Sequence, residues 1–490
     1  MTAGLRPYSS YKDSGFEWLG DVPEHWEIRR NKLFMREINE LSEDGSEELL
    51  TVSQYTGVTR RRDRQSDEGS LLTNAASLVG YKRVHSGDLV MNIMLAWNGS
   101  LGYSPFEGIV SPAYCVFRAK SGVYPQFLHY LFRTPLFTSI FKTVSTGVVE
   151  SRLRLYPEVF FRLSSLLPPL PEQTAIVRFL DYADTRIRRS IHAKQKLIKL
   201  LEEEKQAIIH QAVTRGLDPD VPLKPSGVEW LGDVPEHWDI IALKRVLHKL
   251  IDCEHKTAPE IDNSDYRVVR TTAVRKGELQ LAGTYCTTEK GFKEWTRRGL
   301  PEPGDVIFTR EAPAGEACIV PEGYRLCLGQ RTVLMKLNPD KYNPQFLVLT
   351  IYRGAPEHHI KLASQGSTVG HFNVEDIAAL TILAPPLQEQ FAIIDHIEKN
   401  TLPVVYEIHK IESEITLLRE YRTRLISDVV TGKLDVREAA ARLPVEADEV
   451  DEQEDGEDND WTEEEGEVGE DYPDGMAMET DENAGEEVEV

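Results

Sequence analysis

Two stretches of the chain place an apolar residue at alternating steps of three and four, the pattern of a helix that packs along one seam. In the second stretch the seam positions are Val404, Ile408, Ile411, Ile415, Leu418 and Leu425. In the first stretch, which has more polar interruptions, they are Ile187, Ile191, Ile198, Leu201 and Ile208. The pattern predicts two long coiled-coil helices in a shared register.

Both predicted helices have the same start and stop signals. Each follows a Pro-Pro-Leu-x-Glu-Gln segment, at residues 168–173 and 385–390, and each ends near Val-Thr and a glycine, at 213–216 and 430–432. Pro403 lies inside the second stretch. We expect it to break that helix and leave a long helix from about Val404, because proline lacks the N–H that a helix interior uses.

Residues 30–167 and 242–383 carry a different pattern, of short β-rich runs between turn signals. The runs are residues 88–94, 114–117, 305–309 and 331–336. One helical stretch follows in each segment, Pro125–Phe132 and Pro344–Tyr352. The prediction is an α+β domain in each segment.

These elements occur in the same order twice. Residues 14–26 and 226–238 are identical except that Phe16 corresponds to Val228, which makes a turn-rich segment with two tryptophans in each copy. The separation along the chain is nearly the same for four pairs of matching positions: Ser14/Ser226, Gly87/Gly304, Pro168/Pro385 and Pro125/Pro344. A near-constant offset indicates a duplicated module. A molecule with two similar halves, related by a pseudo-two-fold axis that pairs the helices antiparallel, suits two similar targets at a fixed separation.

Composition narrows the class of protein. A chain of 490 residues with 41% hydrophobic residues predicts two to four domains, and no apolar run reaches the roughly 18 residues of a membrane helix. The N-terminus carries no signal-peptide pattern. Five cysteines without Cys-x-x-Cys spacing favour free thiols over disulfides or zinc. We therefore expect a cytoplasmic protein without a metal site.

The net charge of −24 is concentrated at the C-terminus. Residues 446–490 hold 23 acidic residues and no lysine or arginine, which leaves −24 + 23 = −1 for residues 1–445. The acidic sum therefore does not exclude nucleic-acid binding. The acidic segment is predicted to be disordered. Three roles stay open for it: solubilisation, competition with non-specific DNA, and contact with a basic partner.

Catalytic motifs are missing from the sequence. It contains no Walker A loop, no Gly-x-Gly-x-x-Gly after a strand and no Asn/Asp-Pro-Pro-Tyr/Phe motif. His25 and His237 stand in the repeated tryptophan segment without a nucleophile or metal ligand at useful spacing, so packing or hydrogen bonding is their expected role. A stand-alone enzyme is disfavoured, and we predict a non-catalytic chain.

The repeated features closely resemble the specificity subunit of type I restriction–modification systems, over nearly all of residues 11–437. The resemblance rests on three motifs in order, twice: Trp-Leu-Gly-x-Val-Pro-x-His-Trp, Pro-Pro-Leu-x-Glu-Gln, and the helix ends at 207–214 and 419–432. It implies two target-recognition domains that each read half of a split DNA sequence. It also implies spacer helices that bind two methyltransferase subunits, and restriction subunits that join them. S-adenosylmethionine, ATP and Mg are expected on those partners, and no cofactor on this chain.

The resemblance divides the chain into five parts. Residues 1–167 and 218–383 each form an entry segment and a target-recognition domain, residues 168–217 and 384–437 are the spacer helices, and 438–490 are an acidic tail outside the family pattern. From Ile187 to Ala212 is 26 residues, about 39 Å of helix, close to the roughly 34–36 Å of one DNA turn. The helices are therefore predicted to hold the domains about one turn apart, with a spacer unrelated to DNA as the alternative.

Basic and polar loop residues are the predicted DNA contacts, because arginine reads guanine and lysine mostly holds phosphate. A solvated loop is the alternative for the densest cluster, Arg60 to Arg64, and an ordinary strand-edge glutamine for Gln330. The candidates are Arg60, Arg61, Arg62, Arg64, Lys82, Arg83, Arg152, Arg154, Lys290, Arg297, Arg298, Arg310, Gln330 and Arg331. Two other functions stay open: a recognition subunit of another restriction assembly with the same repeat plan, and a coiled-coil interaction scaffold that does not bind DNA.

Overall fold

A computed structural model describes residues 5–54, 56–61, 77–149, 153–228, 230–358, 360 and 372–444. The chain forms two compact units that do not follow chain order. Unit 1 is Met1–Ile191 with Thr416–Val490, and unit 2 is His192–Ile415. Each unit therefore contains the first part of one long helix and the last part of the other.

Unit 1 is built on a four-stranded antiparallel sheet with the order Met35–Ile38, Tyr114–Ala119, Leu89–Asn92, Leu101–Tyr103. Helices Pro125–Phe132, Pro135–Val144 and Pro157–Arg162 follow it, and short helical segments span Asn31–Phe34 and Ala96–Asn98. Four two-stranded pairs complete the unit: Tyr11–Asp13 with Asp21–Pro23, Glu27–Arg30 with Ser164–Leu167, Leu50–Ser53 with Gly57–Arg60, and Lys82–Val84 with Gly108–Val110.

Unit 2 repeats this plan. Its four-stranded sheet has the order Leu247–Asp252, Thr332–Leu337, Val306–Thr309, Ala317–Ile319. A three-stranded sheet of Thr284–Cys286, Tyr266–Val269 and Arg325–Leu328 is added, with strand pairs Leu223–Pro225/Asp233–Pro235, Asp239–Ala242/Thr381–Ala384 and Val274–Arg275/Glu278–Leu279. Its helices are Glu289–Trp295, Pro344–Arg353 and Val374–Ala379, with short turns of 3₁₀ helix at Leu243–Arg245, Thr271–Ala273 and Leu281–Gly283. The short strands and the helices at Pro125–Phe132 and Pro344–Arg353 that the sequence predicts are confirmed, with small differences at their ends.

The two long helices are Leu170–Arg215 and Leu387–Val430. The expected break at Pro403 is wrong, because the second helix runs continuously through that residue. A proline costs one backbone hydrogen bond and a clash with the preceding turn. Here the helix is held on both sides by buried side chains, Ile394 and Ile397 before the proline and Ile408 and Ile411 after it, so packing maintains the helical path.

Within each unit the two helix segments run antiparallel. In unit 1, Asp184 of the first helix contacts Arg422 of the second. Nearer the start of the first helix, Glu172 accepts a hydrogen bond from the Trp26 indole, which lies against Gly432 just after the end of the second helix. In unit 2, Lys194 contacts Glu414, and Gly216 at the end of the first helix lies against Glu389 near the start of the second. The predicted seam residues are all buried or partly buried in the structure.

Each unit closes its core around a helix end. In unit 1, Leu425, Val429 and Val430 join a core that holds Trp26 and Phe127, and in unit 2 the corresponding residues are Ala212 and Val213. The expected start of the tail at residue 438 is wrong. Arg437–Ala441 is a short helix whose Ala440 is buried in the core of unit 1, because apolar residues continue for one turn beyond the long helix. The acidic residues 446–490 lie outside the described residues.

Candidate nucleic-acid interface

The repeated tryptophan segment is anchored to the start of a long helix by one glutamate. Trp26 Nε1 donates to Glu172 Oε1 over 2.9 Å, Tyr8 Oη donates to the same oxygen over 2.6 Å, and His25 Nε2 lies 2.7 Å from Oε2. In unit 2, Trp238 Nε1 and His237 Nε2 lie 3.0 and 2.8 Å from Glu389. The predicted hydrogen-bonding role of the two histidines is confirmed.

The glutamine that follows each glutamate anchors the helix to the domain. The Gln173 side chain accepts from the Tyr124 N–H over 2.8 Å and donates to the Pro168 carbonyl over 2.8 Å. The Gln390 side chain accepts from the Asn343 N–H over 2.8 Å and donates to the Pro385 carbonyl over 2.9 Å. Both glutamines are buried. The Glu-Gln pair thus fixes each domain on its helix. The Pro-Pro-Leu-x-Glu-Gln motif identified these two residues in the sequence, but not the partners that they bind.

In unit 1 the structure brings four of the candidate cations onto neighbouring strands. Arg60 pairs across from Leu50, and the Arg61 N–H donates to the Leu49 carbonyl. Leu49 bridges Ile109, which pairs with Arg83, the neighbour of Lys82. Arg60, Arg61, Lys82 and Arg83 therefore flank the segment Glu47–Leu49, and we name these four residues the strand cluster.

Carboxylates already contact part of the strand cluster. Arg60 Nε lies 3.2 Å from Glu48, and its guanidinium stacks over the Phe106 ring at 4.6 Å. Arg83 Nε donates to Glu47 over 2.7 Å. Lys82 forms no ion pair with the described residues. Arg154 is elsewhere, in a backbone bridge with Thr146, and Arg62, Arg64 and Arg152 lie outside the described residues.

In unit 2 three candidates meet at one end of the central sheet. Thr309 pairs with Thr332 and Asp252 with Val333, so the residues that extend these strands are neighbours. The Arg310 N–H donates to the Arg331 carbonyl over 2.8 Å. We name Asp252, Arg310, Glu311, Gln330 and Arg331 the charged edge.

The two arginines of the charged edge differ in exposure. Arg310 is buried, and it donates to the Phe372 carbonyl over 2.8 Å and to Asp252 over 2.9 Å. Arg331 is half exposed, with Nε 3.3 Å from Glu311. Its φ of +67° is in the left-handed region, which costs a non-glycine residue about 1–3 kcal/mol. Such strain clusters at functional sites, and both Arg331 and its neighbour Gln330 are exposed.

The other candidate residues of unit 2 take no part in the hydrogen bonds of the charged edge. Arg298 donates from Nη1 to the Cys253 carbonyl over 2.9 Å, and its Nε lies 3.1 Å from Glu254. Arg297 is exposed, 3.8 Å from the same carboxylate, and Lys290 lies exposed on the helix Glu289–Trp295. Sequence reasoning missed the acids that meet these cations. Their signal was the charge-dense run from Asp252 to Lys256.

The described part of the chain contains no candidate metal centre. No group of three or more histidine, cysteine, aspartate or glutamate side chains among the described residues has the geometry of a metal site. In the same part of the chain, no helix combines the length and apolarity needed to cross a membrane. The strand cluster and the charged edge present guanidinium, ammonium and amide groups.

Comparisons with known proteins point in one direction. Residues 235–416 match the family described as the type I restriction modification DNA specificity domain. The specificity subunit of the type I restriction enzyme MjaVIII from Methanocaldococcus jannaschii is 22% identical over 443 residues, which cover 87% of this chain and 97% of that relative. A solved structure on complex assembly and conformational transition of the type I R-M system aligns over 84% of this chain and 99% of its own, with a TM-score of 0.62 at 16% identity. At that identity the structural likeness bears on the fold alone.

Proposed function

We propose, because the chain belongs to the specificity subunits of type I restriction–modification systems, that it is the DNA-recognition subunit of such a complex. Membership confirms the resemblance drawn from the sequence motifs, and it rests on the matched specificity domain and on a curated relative aligned over most of both chains. In this proposal the chain binds DNA and carries no catalysis, and methyl transfer and cleavage belong to partner subunits with S-adenosylmethionine, ATP and Mg. The complex works in the cytoplasm.

The finer proposal is that the two units read two different half-sites. One observation supports this proposal: the four-stranded sheets of the two units have the same strand order, but different side chains follow the equivalent strands at one edge. Pairing of Asn92 with Tyr114 corresponds to pairing of Thr309 with Thr332. Ile93 and Ala113 therefore stand in unit 1 where Arg310 and Arg331 stand in unit 2. A conserved frame with different edges suits an asymmetric, bipartite target.

Methylome sequencing tests this proposal. A host that lacks its own restriction–modification genes would receive the cognate methyltransferase with or without this chain. We expect methylation at a split motif with unlike halves, present only with the chain. A contiguous palindrome would refute the two-domain proposal, and the absence of any chain-dependent DNA binding would leave the interaction scaffold as the function.

The long helices also carry a surface that suits two copies of a partner. Leu200 and Leu417 occupy equivalent positions of the two helices, at the same offset as Pro168 and Pro385, and are 53% and 62% exposed. A single exposed apolar side chain is common on protein surfaces, and the repetition at equivalent positions of the two helices is what supports an interaction site. We assign them to the docking of two methyltransferase subunits, one on each helix.

Substitution of these leucines tests the docking assignment. Leu200→Asp or Leu417→Asp alone should reduce co-purified methyltransferase from two copies to one per chain, and the double variant should abolish it. Lys199→Asp, an exposed neighbour of Leu200, is the matched control. Two bound copies on the double variant, by native mass spectrometry, would contradict the assignment.

A further inference from the structure

A cavity of about 280 Å³ in unit 1 has a lining with an excess of positive charge. It lies between the end of the helix Pro125–Phe132 and the two long helices. Three arginines and one aspartate line it: Arg133, Arg188, Arg422 and Asp184. We name it the arginine cavity. It is smaller than the roughly 300–1,000 Å³ of sites that enclose drug-sized ligands, so its size suits a small ion or one group of a larger molecule.

One carboxylate holds two of the guanidinium groups side by side. Arg188 Nε lies 2.9 Å from Asp184 Oδ2, and Arg422 Nε donates to Asp184 Oδ1. No hydrogen bond joins the amino groups of either arginine to a described residue. Two adjacent guanidinium groups therefore keep their amino ends available at the wall of the cavity.

The third arginine adds a fixed positive charge. Arg133 donates to the Gln54 carbonyl over 2.7 Å and to the Leu101 carbonyl over 3.0 Å, which hold its guanidinium in place. Burial, together with Arg422 and Arg188, lowers the pKa of Arg133 to about 10, so it stays protonated at neutral pH. Burial, and then Arg133, lowers the pKa of His129 well below its usual value, so His129 adds no charge.

The charges of the lining do not balance. Three arginines and Asp184 sum to +2 in formal charge. A second carboxylate, Asp181, is not part of the lining and accepts from Tyr130 Oη over 2.6 Å. Like charges held together in a partly buried space repel one another, and a bound anion relieves that repulsion.

Unit 2 shows that the fold does not require this cluster. The equivalents of Asp184, Arg188 and Arg422 are Thr401, Val405 and Lys205, at the same helix offset that relates Leu200 to Leu417. Arg133 corresponds to Tyr352, whose Oη lies 3.0 Å from the Ala317 N–H, on the strand equivalent to that of Leu101. A tyrosine thus makes the same link from helix to strand without a charge. The arginines are therefore a property of unit 1 and not of the shared frame.

The geometry points to the arginine cavity as a binding site for an oxyanion of the phosphate class. Guanidinium groups bind phosphate with paired N–H donors in a fixed fork, and two such forks face this cavity. The phosphate has two sources that share this chemistry, a backbone phosphate of bound DNA and a free phosphate or nucleotide. The site does not depend on the proposed function, because a free anion needs no DNA.

Equilibrium dialysis of the full chain against labelled inorganic phosphate tests for the site. The test variant carries Asp184→Thr, Arg188→Val and Arg422→Gln, which removes both guanidinium forks and lowers the formal charge of the lining from +2 to +1. We expect saturable binding of one phosphate per wild-type chain and at least tenfold weaker binding by the variant. Arg189→Gln, an exposed neighbour on the same helix, is the matched control and should bind as wild type.

DNA binding distinguishes the two sources. With the methyltransferase present, the slope of log affinity against log salt should fall by about 0.9 in the triple variant if the occupant is one DNA phosphate, and stay unchanged if it is a free anion. Equal phosphate binding by wild type and a folded triple variant overturns the proposal. The proposal is also overturned if the wild-type chain shows no saturable phosphate binding and the triple variant has the wild-type salt slope for DNA binding. If the triple variant does not fold, Arg188→Gln replaces it. Phosphate binding without any DNA binding would refute the proposed function alone.

Discussion

Glu172 and Trp26 are 146 residues apart in the chain and joined by a 2.9 Å hydrogen bond from the indole N–H to a carboxylate oxygen. The bond ties the entry segment of the first module to the first turns of its long helix. Glu389 and Trp238 repeat it at 3.0 Å in the second module. Two motifs of the sequence that looked independent are therefore the two halves of one contact.

Removal of this contact should destabilise unit 1 more than unit 2. Glu172 is almost fully buried and serves three partners, so Glu172→Ala leaves the Trp26 and Tyr8 donors unsatisfied and should cost about 3 kcal/mol. Glu389 is about a quarter exposed, so Glu389→Ala should cost less. Urea unfolding measures both, with the exposed Glu27→Ala as control. Equal, small losses would mean that the shared carboxylate is not a stabilising contact.

The charged edge should determine part of the second half-site. Arg331→Ala should lower discrimination at one base pair by about 1–3 kcal/mol, the value of a bidentate arginine–guanine contact. Glu311→Gln removes the acid beside Arg331 and should raise DNA affinity. Competition binding with single-base variants of the target checks both. Arg325→Ala, on the separate three-stranded sheet, is the control, and an unchanged base preference in Arg331→Ala would assign this arginine to structure.

The arginine-dense run from Arg60 to Arg64, which includes two members of the strand cluster, should bind phosphates of the first half-site. Replacement of Arg60, Arg61, Arg62 and Arg64 by glutamine should weaken DNA binding and flatten its salt slope by about 0.9 for each lost phosphate contact. Arg60 already stacks on Phe106 and contacts Glu48, so its share should be smaller than that of a cation without such contacts. A folded variant with the wild-type slope would place the arginines in a solvated loop.

Helix length should set the gap between half-sites. Seven residues inserted after Lys205 keep the heptad register and add about 10 Å of helix, near three base pairs at about 3.4 Å each. Methylome sequencing of the insertion variant should show a gap that is longer by about that number. A four-residue insertion disturbs the register and is the control. A well-folded seven-residue variant with the original gap contradicts the spacer role.

Thiol chemistry should separate one cysteine from the rest. Burial raises the pKa of Cys115, Cys318 and Cys327 to about 12 and also raises that of Cys253, which favours the unreactive protonated thiols at neutral pH. Cys286 is the partly exposed one. Iodoacetamide at pH 7.5 should add one group to the native chain and five in urea, by intact mass. Rapid multiple labelling of the native chain would contradict the buried positions.

The local pattern was sufficient for the elements of this protein. The heptad seams, the turn signals and the strand runs each act within a few residues, and the duplication presented every signal twice. For this reason the long helices and the Pro125–Phe132 helix matched their predicted positions closely. Two predictions were wrong because packing outweighed a local rule. Buried isoleucines keep the second long helix continuous at Pro403, and the core of unit 1 includes Ala440, beyond the predicted end of the folded part.

Only the tertiary structure decided which charges meet. The sequence singled out arginines by density, but Glu47, Glu48 and Glu311 reach them through strand pairing. Asp184 likewise meets Arg422, 238 residues away, because two helices run antiparallel. Such pairs depend on register and helix direction, which no local spacing encodes. The duplicated frame was readable from the chain, and the assignment of each cation to structure, to an acid or to a binding surface was set by the fold.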